Sequence, residues 1–319
     1  MAGDGDSERL SPDDAFATLG NGTRLGILQA LGRAEDDVSF SELRDRVGVE
    51  DSGQFNYHLE QLVGHFVRKT DEGYQLQRAG RRVVEAVLSG AVTDAPDLDR
   101  TRVDETCELC GAPIEVARDG GSIAMYCTEC AGRYSHAYGD DPTGRRADEG
   151  YLGRLPLPPA GLRDRTPTEV LRAAWTWGNL EMLAISAGIC PRCSATVDRT
   201  PLVVCEDHDT SDGLCAECRG RQAVRLTVSC TNCIYGSGGI FSINLVSNTD
   251  LLDLLTDHGL NPVVPDSIRR VNEVHGEYGE ELLSTEPFRA RFTFDVDGDT
   301  LALTVDDDLE VVEATRPAD

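Results

Sequence analysis

The sequence predicts a multidomain α+β protein, and three observations lead to this prediction. The first 92 residues alternate short amphipathic segments with a hairpin-like pair of strands. The middle of the chain carries five Cys-x-x-Cys motifs, the spacing of metal-binding knuckles. Near the C-terminus, residues 288–296, 300–305 and 309–314 alternate apolar and polar side chains. This last pattern indicates a three-stranded antiparallel meander.

The charge balance is strongly acidic. Among 319 residues, 56 are acidic and 30 basic, which gives a net charge of -26, and Lys69 is the sole lysine. Such a composition is typical of halophilic proteins, whose acidic surfaces stay hydrated in concentrated salt. Because molar salt screens the attraction to phosphates, acidity does not exclude a nucleic-acid partner.

No apolar run approaches the roughly 18 residues needed to span a membrane. The N-terminus is acidic and has no apolar core, so it does not resemble a signal peptide. We therefore expect a cytoplasmic protein with no membrane partner. In that reducing compartment, the eleven cysteines are expected to bind metal and not to form disulfides.

The N-terminal pattern indicates four helices, a hairpin and a fifth helix, the order of a winged helix-turn-helix. A Ser39-x-x-Glu42 capping box opens the third helix, and Asp51 or Ser52 caps the fourth. The predicted elements are helices near 13–19, 25–31, 42–47 and 51–63, strands at 66–70 and 74–77, and a helix over 79–92.

The fourth helix has the composition of a recognition helix. Its apolar side chains share one side, and its outward side chains can hydrogen-bond to base edges, as Gln and Asn do with adenine. The outward set is Gln54, Tyr57 and Gln61, with Asn56 on the flank. An amphipathic surface helix with an idle polar face remains the alternative from this helix alone.

The same segment resembles the ArsR-type winged helix regulators, in a form similar to that of haloarchaeal proteins. Leu19, Arg24, Ile27, Leu28 and Leu31 match the motif L-x4-R-x2-I-L-x2-L. The second motif, H-L-x-x-L before the wing, is matched by His58, Leu59 and Leu62.

This resemblance implies a homodimer that binds double-stranded DNA. It places Ser52, Gln54, Asn56 and Tyr57 at base edges, and Arg68 and Lys69 at phosphates or in the minor groove. We expect His58 to pack inside and Glu60 to face outward, where it repels phosphate. Metal-sensing members carry cysteines in this domain, whereas residues 1–106 contain none.

The first cysteine cluster predicts a zinc ribbon. Cys107-x-x-Cys110 and Cys127-x-x-Cys130 flank a hairpin-like segment, so four thiolates can surround one zinc ion. A pair of redox dithiols is the alternative, but redox Cys-x-x-Cys motifs normally begin a helix after a strand.

A long apolar helix follows, opened by the capping box Thr166-x-x-Glu169 and extending to about residue 187. Trp175 and Trp177, the two tryptophans of the protein, lie in it. As part of an apolar helix they are expected in the core or in a dimer interface, with base stacking as the alternative.

The second cysteine cluster offers eight ligands if a histidine takes part. They are Cys190, Cys193, Cys205, His208, Cys215, Cys218, Cys230 and Cys233. A sequential assignment, with the first four ligands on one ion and the last four on another, is the simplest; a crossed pairing of alternate knuckles stays open. With the ribbon, up to three zinc ions are expected. Closed four-ligand sites are structural, although a regulatory zinc or an oxidation switch also remains open.

Together these features predict a non-enzymatic transcriptional regulator. Its winged helix would bind promoter DNA while zinc ribbons support a sensing or docking domain. Residues 133–165 and the Gly-rich 235–240 are expected to be loops. The predicted segments are a disordered tail (1–11), the winged helix-turn-helix (12–92), a linker (93–104), a zinc ribbon (105–136), a loop and apolar helix (137–188), a two-zinc region (189–236) and a C-terminal α+β domain (237–319).

Two alternatives remain. A winged helix followed by a zinc ribbon is similar to the archaeal basal transcription factor TFE, which works through contacts with the transcription machinery. The zinc-rich region could instead be a protein-docking or redox-responsive module.

Overall fold

The structure is a computed structural model that describes residues 10–134, 150–204 and 222–316. The chain divides into two compact units. The N-terminal unit comprises Met1–Ala95 with Pro158–Ala160, and the C-terminal unit comprises Pro96–Leu157 and Gly161–Asp319. Helices and antiparallel sheets occur in both, which confirms the predicted α+β, multidomain class.

The N-terminal unit contains the predicted order of four helices, a hairpin and a helix. The strands β1 and β2 pair antiparallel with Val67 opposite Leu76, and Val38 adds an isolated bridge to Tyr74. In chain order the elements are α1 (Pro12–Leu19), α2 (Gly22–Gly32), α3 (Phe40–Val47), α4 (Ser52–Glu60), β1 (Val67–Lys69), β2 (Tyr74–Leu76) and α5 (Arg78–Leu88).

Side-chain caps fix where the first four helices begin. Ser11, Asn21, Ser39 and Asp51 each accept hydrogen bonds from backbone N–H groups of the following turn. Ser11 therefore belongs to the folded unit, although the sequence placed it in the tail. The predicted Ser39 capping box is only half formed, because the Glu42 carboxylate pairs with Arg46 at 2.6 Å.

The N-terminal core forms around the buried sides of α2 and α4. Ile27, Leu28, Phe55 and Leu59 are fully buried, and Phe40 contacts the Phe55 ring edge-on at a centroid distance of 5.2 Å. Fully burying an apolar side chain of this size stabilises a fold by roughly 1.5–3 kcal/mol. Since packing takes up one side of α4, its polar side is left free.

Within its described residues, the C-terminal unit contains three antiparallel sheets and three α-helices. Their sequence order is β3 (Thr101–Thr106), β4 (Pro113–Asp119), β5 (Ser122–Cys127) and β6 (Tyr151–Pro156); α6 (Pro167–Ser186); β7 (Val197–Val203), β8 (Val224–Cys230) and β9 (Gly236–Ile240); α7 (Thr249–Asp257) and α8 (Ile268–Gly276); then β10 (Gly279–Thr285), β11 (Phe288–Val296), β12 (Asp299–Val305) and β13 (Val311–Thr315). Strands adjacent in sequence pair within each sheet.

One apolar core joins these sheets and helices. Buried residues of the predicted segments 105–136, 189–236 and 237–319 belong to the same cluster. Phe241 stacks on Phe292 with ring centroids 4.5 Å apart. The Trp175 indole N–H donates to the Pro262 carbonyl oxygen at 2.9 Å, so this tryptophan lies in the core as expected.

Six of the strands in the described residues were not predicted; two of them, β7 and β8, lie in the predicted two-zinc region. β3 begins inside the predicted linker, β6 and β9 lie in predicted loops, and β10 adds a fourth strand to the meander. β9 has little side-chain propensity for a strand, but a Cβ added at Gly238 would lie 3.1 Å from the Leu226 carbonyl oxygen. Glycine therefore permits a close approach to β8, and pairing, not local propensity, determines this strand.

Among the described ranges, no helix has both the length and the apolar character needed to cross a membrane.

The Gly80→Ala substitution is expected to destabilise the N-terminal unit by about 1–3 kcal/mol, the usual cost of overpacking. A Cβ on Gly80 would lie 2.2 Å from the Phe66 carbonyl oxygen, so the backbone must shift. Faster amide hydrogen exchange in α2 and α5, measured on the full chain, would show this destabilisation. Gly22→Ala is the control, because its added Cβ meets no atom within 4 Å. Equal exchange in both variants would contradict the prediction.

Candidate metal centres and nucleic-acid interface

The first cysteine cluster brings four sulfurs together from two knuckles. Cys107 and Cys110 follow β3, while Cys127 ends β5 and Cys130 lies in the turn after it. The four Sγ atoms all lie within 4.8 Å of one another, with Cys107 and Cys130 at 3.7 Å and Cys110 and Cys127 at 3.4 Å. A tetrahedral ion with metal–sulfur bonds of about 2.3 Å requires sulfurs roughly 3.8 Å apart. The cluster is therefore positioned to hold a metal ion.

The second cluster consists of Cys190, Cys193, Cys230 and Cys233, whose sulfurs also lie within 4.8 Å of one another. The Sγ distance is 3.7 Å between Cys190 and Cys233 and 3.5 Å between Cys193 and Cys230. Here too, four thiols converge with the spacing that one tetrahedral ion needs.

This geometry corrects the sequential ligand assignment. Cys190 and Cys193 meet Cys230 and Cys233, so the first knuckle pairs with the fourth, and alternate knuckles do not pair either. The reason is the antiparallel register of β7 and β8, which places Val197 opposite Cys230 and so brings both knuckles to one end of the sheet. Cys205, His208, Cys215 and Cys218 lie outside the described residues.

Both clusters use the same local hydrogen bonds. In each knuckle the backbone N–H two residues after a cysteine points at its sulfur: Leu109 to Cys107 and Arg192 to Cys190, both at 3.4 Å. Two N–H groups reach Cys127, and two reach Cys230, at 3.3–3.4 Å. Such donors stabilise thiolate over thiol.

These hydrogen bonds change the acidity of the cysteine thiols. Burial works to raise the pKa of Cys127, but the N–H groups of Glu129 and Cys130, together with the thiols of Cys130 and Cys110, outweigh burial and lower that pKa to about 7. The N–H groups of Cys233 and Asn232 likewise lower the pKa of Cys230. Because the thiolate is the form that binds metal, the lowered pKa values of Cys127 and Cys230 favour coordination in both clusters.

The seven residues predicted to contact DNA all lie on the surface of the N-terminal unit. Ser52, Gln54, Asn56, Tyr57 and Gln61 are exposed on α4 or at its end, and Arg68 and Lys69 are exposed on β1. Tyr57 has an exposed fraction of 59%. Asp51, and not Ser52, is the cap of α4 and accepts from the Gln54 N–H at 2.8 Å.

The other α4 side chains lie where the sequence predicted. His58 is buried, with its ring edge-on to Tyr57 at 5.3 Å, and Glu60 is exposed. In the wing, the Arg68 guanidinium donates to the Gln75 side chain across the hairpin. The buried and exposed sides of α4 are thus clearly separated.

One basic group was not singled out from the sequence. Arg78, Arg81 and Arg82 are exposed on α5, directly after the wing that carries Arg68 and Lys69. The run RAGRR is a signal that could have revealed it, since basic residues are scarce in this chain. Side chains of this kind can contact phosphates.

Two family models match the chain. Residues 12–87 match the domain of unknown function DUF7347, which covers the N-terminal helices and hairpin. Residues 104–311, about two thirds of the chain, match the domain of unknown function DUF7351. No curated protein and no solved structure matches the chain significantly.

Metal content distinguishes the observed pairing from the sequential one. Cys190→Ser and Cys230→Ser are each expected to lose one metal ion per chain, and the double variant to lose no more than either, because both residues serve the same ion. Native mass spectrometry measures the stoichiometry, with Ser229→Ala as an exposed neighbouring control. A loss of two ions in the double variant would contradict the observed pairing, because Cys190 and Cys230 would then serve different ions.

Proposed function

The chain belongs to the DUF7351 family, and we propose that it is a DNA-binding transcriptional regulator with structural zinc ions in its C-terminal unit. The observation that carries this proposal is α4. Its apolar side is fully used by the core, whereas its outward residues are polar, uncharged over the first two turns and exposed. A helix of this kind, followed by a hairpin, fits a major groove.

The outward residues assign a role to each part of the interface. The side-chain amides of Gln54 and Asn56 can each form two hydrogen bonds with an adenine base, and Tyr57 adds a hydroxyl and an exposed ring. Arg68 and Lys69 would meet phosphates or the minor groove. Glu60 is exposed at the end of α4 and would repel the phosphate backbone of DNA. Only the first two turns of the helix would therefore enter the groove.

The acidic surface affects how affinity is obtained. With a net charge of -26 the chain gains little from general attraction to phosphate. In concentrated salt that attraction weakens for any protein, because a counterion released from DNA into a concentrated salt solution gains little entropy. Base contacts and shape therefore supply a larger share of the binding free energy, and specificity rests on α4.

Zinc is the ion proposed for both clusters. Four thiolates in tetrahedral arrangement suit zinc, and a site with four protein ligands leaves no position for a substrate. A third zinc is proposed for Cys205, His208, Cys215 and Cys218, the ligands left over once the outer knuckles pair. They would form a Cys3His set, another common structural site.

The proposed assembly is a homodimer that places one α4 in each of two successive major grooves. A symmetric dimer reads half-sites one helical turn apart, so the target is a palindrome. The similarity in domain order to the basal factor TFE supports an alternative function. In that case the protein would be present at every active promoter and would not recognise a specific DNA sequence.

Selection of bound fragments from the source genome, in molar potassium chloride, tests the proposal. A shared palindrome in a small set of promoters is the expected result. Uniform enrichment of active promoters would favour the basal factor instead. Absence of enrichment in both the oxidised and reduced protein would exclude DNA binding as the function.

Replacing Gln54 and Tyr57 together by alanine is expected to remove sequence preference. Each lost base contact costs about 1–3 kcal/mol of discrimination. Binding to the selected palindrome and to a scrambled duplex, measured by fluorescence anisotropy, should become equal while metal content stays unchanged. Retained preference would mean that another surface reads the bases.

Lys69→Gln is expected to lower the affinity for DNA without changing the sequence preference. Loss of a phosphate contact should weaken binding to all duplexes equally and reduce the slope of log affinity against log salt by about 1. Titrations at several potassium chloride concentrations give this slope. A change confined to the palindrome would assign Lys69 to base recognition.

A further inference from the structure

A cavity of about 680 Å³ lies within the C-terminal unit. Strands β5, β6 and β9 and helices α6 and α8 contribute to its wall. Sites for small molecules commonly have volumes of about 300–1,000 Å³. None of the eight cysteines in the two described clusters lines this cavity, and neither does any residue assigned to DNA. The proposed function therefore leaves the cavity unexplained.

The wall is rich in aromatic rings. Tyr126 and Tyr151 lie 5.7 Å apart between ring centroids, and Tyr134 and Tyr151 lie 6.2 Å apart. Trp175 also lines the cavity, and its N–H is already used by the Pro262 carbonyl oxygen, so it offers only its ring surface. Rings arranged in this way favour an aromatic ligand.

The buried charges on the wall already have partners. The Glu181 carboxylate lies 2.7 Å from the Arg192 guanidinium and accepts from the Trp177 indole N–H at 2.7 Å. The Glu108 carboxylate lies 3.4 Å from the Arg133 guanidinium. A charged ligand would find no unpaired counter-ion among these groups, so the wall favours an uncharged one.

Two wall residues have buried polar atoms that lack a partner within the described chain. They are both ring nitrogens of His275 and Nη2 of Arg133. Burial lowers the pKa of His275 to about 4, so near neutral pH its ring is uncharged and has one N–H donor and one acceptor. A ligand oxygen that accepts hydrogen bonds would satisfy such donors.

We propose that this cavity binds an uncharged aromatic carbonyl compound of two or three rings. The rings would pack on the tyrosines and Trp175, and the carbonyl oxygen would accept from His275 or Arg133. Glu108 lies inside the first cysteine knuckle and Tyr235 two residues after Cys233, and both line the cavity. A bound ligand thus contacts segments held by both metal centres.

Benzophenone, diphenylmethane and dicyclohexyl ketone form a matched set of probes. The second lacks the carbonyl group and the third lacks the aromatic rings. Equilibrium dialysis against the full-length, metal-loaded protein is expected to show the tightest binding for benzophenone and at least tenfold weaker binding for the other two. Equal binding of all three would overturn the proposed chemistry, as would no binding of benzophenone. DNA plays no part in the measurement, so its outcome is independent of the regulator proposal.

Irradiation then locates the bound probe, because excited benzophenone inserts into nearby C–H bonds. Cross-links are expected at Met125 and Met182, which line the cavity. Met182→Trp should fill the space and abolish both binding and cross-linking. Leu183→Trp, at the next position of α6 and outside the lining, should preserve them. Cross-links elsewhere, or equal binding by the two variants, would overturn the assignment to this cavity.

Discussion

The C-terminal unit depends on the convergence of sulfur atoms from distant parts of the chain. Cys107 and Cys130 are 23 residues apart in sequence, and Cys190 and Cys233 are 43 apart, yet each pair ends with sulfurs at 3.7 Å. Four thiolates at such distances repel one another unless a cation lies between them. Each cluster lies at one end of a sheet, and buried residues of both sheets share one core with α6 and the C-terminal meander. The cysteine clusters and the buried apolar surface therefore belong to the same packed unit, so a metal ion held by either cluster would stabilise that core.

The N-terminal unit follows a different logic, since no cysteine occurs in residues 1–106. Caps at Ser11, Asn21, Ser39 and Asp51 define its helices, and a compact apolar core holds them. Phe55, His58 and Leu59 are buried and anchor α4 in the core. The outward side chains of α4 therefore do not contribute to this packing. This separation of buried and exposed sides supports the proposed sequence recognition, although the overall charge of the protein opposes binding to DNA.

Local signals in the sequence were sufficient for some features and not for others. Capping residues and helical periodicity predicted α4 and α6, and knuckle spacing predicted the ligands of the first cluster. Pairing in the second cluster could not be predicted, because every knuckle has the same spacing and only the register of β7 with β8 selects the partners. Strands β6 and β9 were missed for a similar reason, since neighbouring strands and not their own residues determine them. The cavity wall draws on elements from β5 to α8, so no short motif marks it.

The pairing of Cys190 and Cys193 with Cys230 and Cys233 also sets the order in which the two clusters can form during synthesis. The first cluster is complete once Cys130 has emerged from the ribosome, whereas Cys190 must wait for Cys233, 43 residues later. At about 5–20 residues per second this delay lasts about 2–9 s. Throughout that interval Cys190 and Cys193 are thiols without their partners and open to oxidation. Translation speed across this stretch therefore influences how many chains complete the second cluster with all four cysteines still reduced.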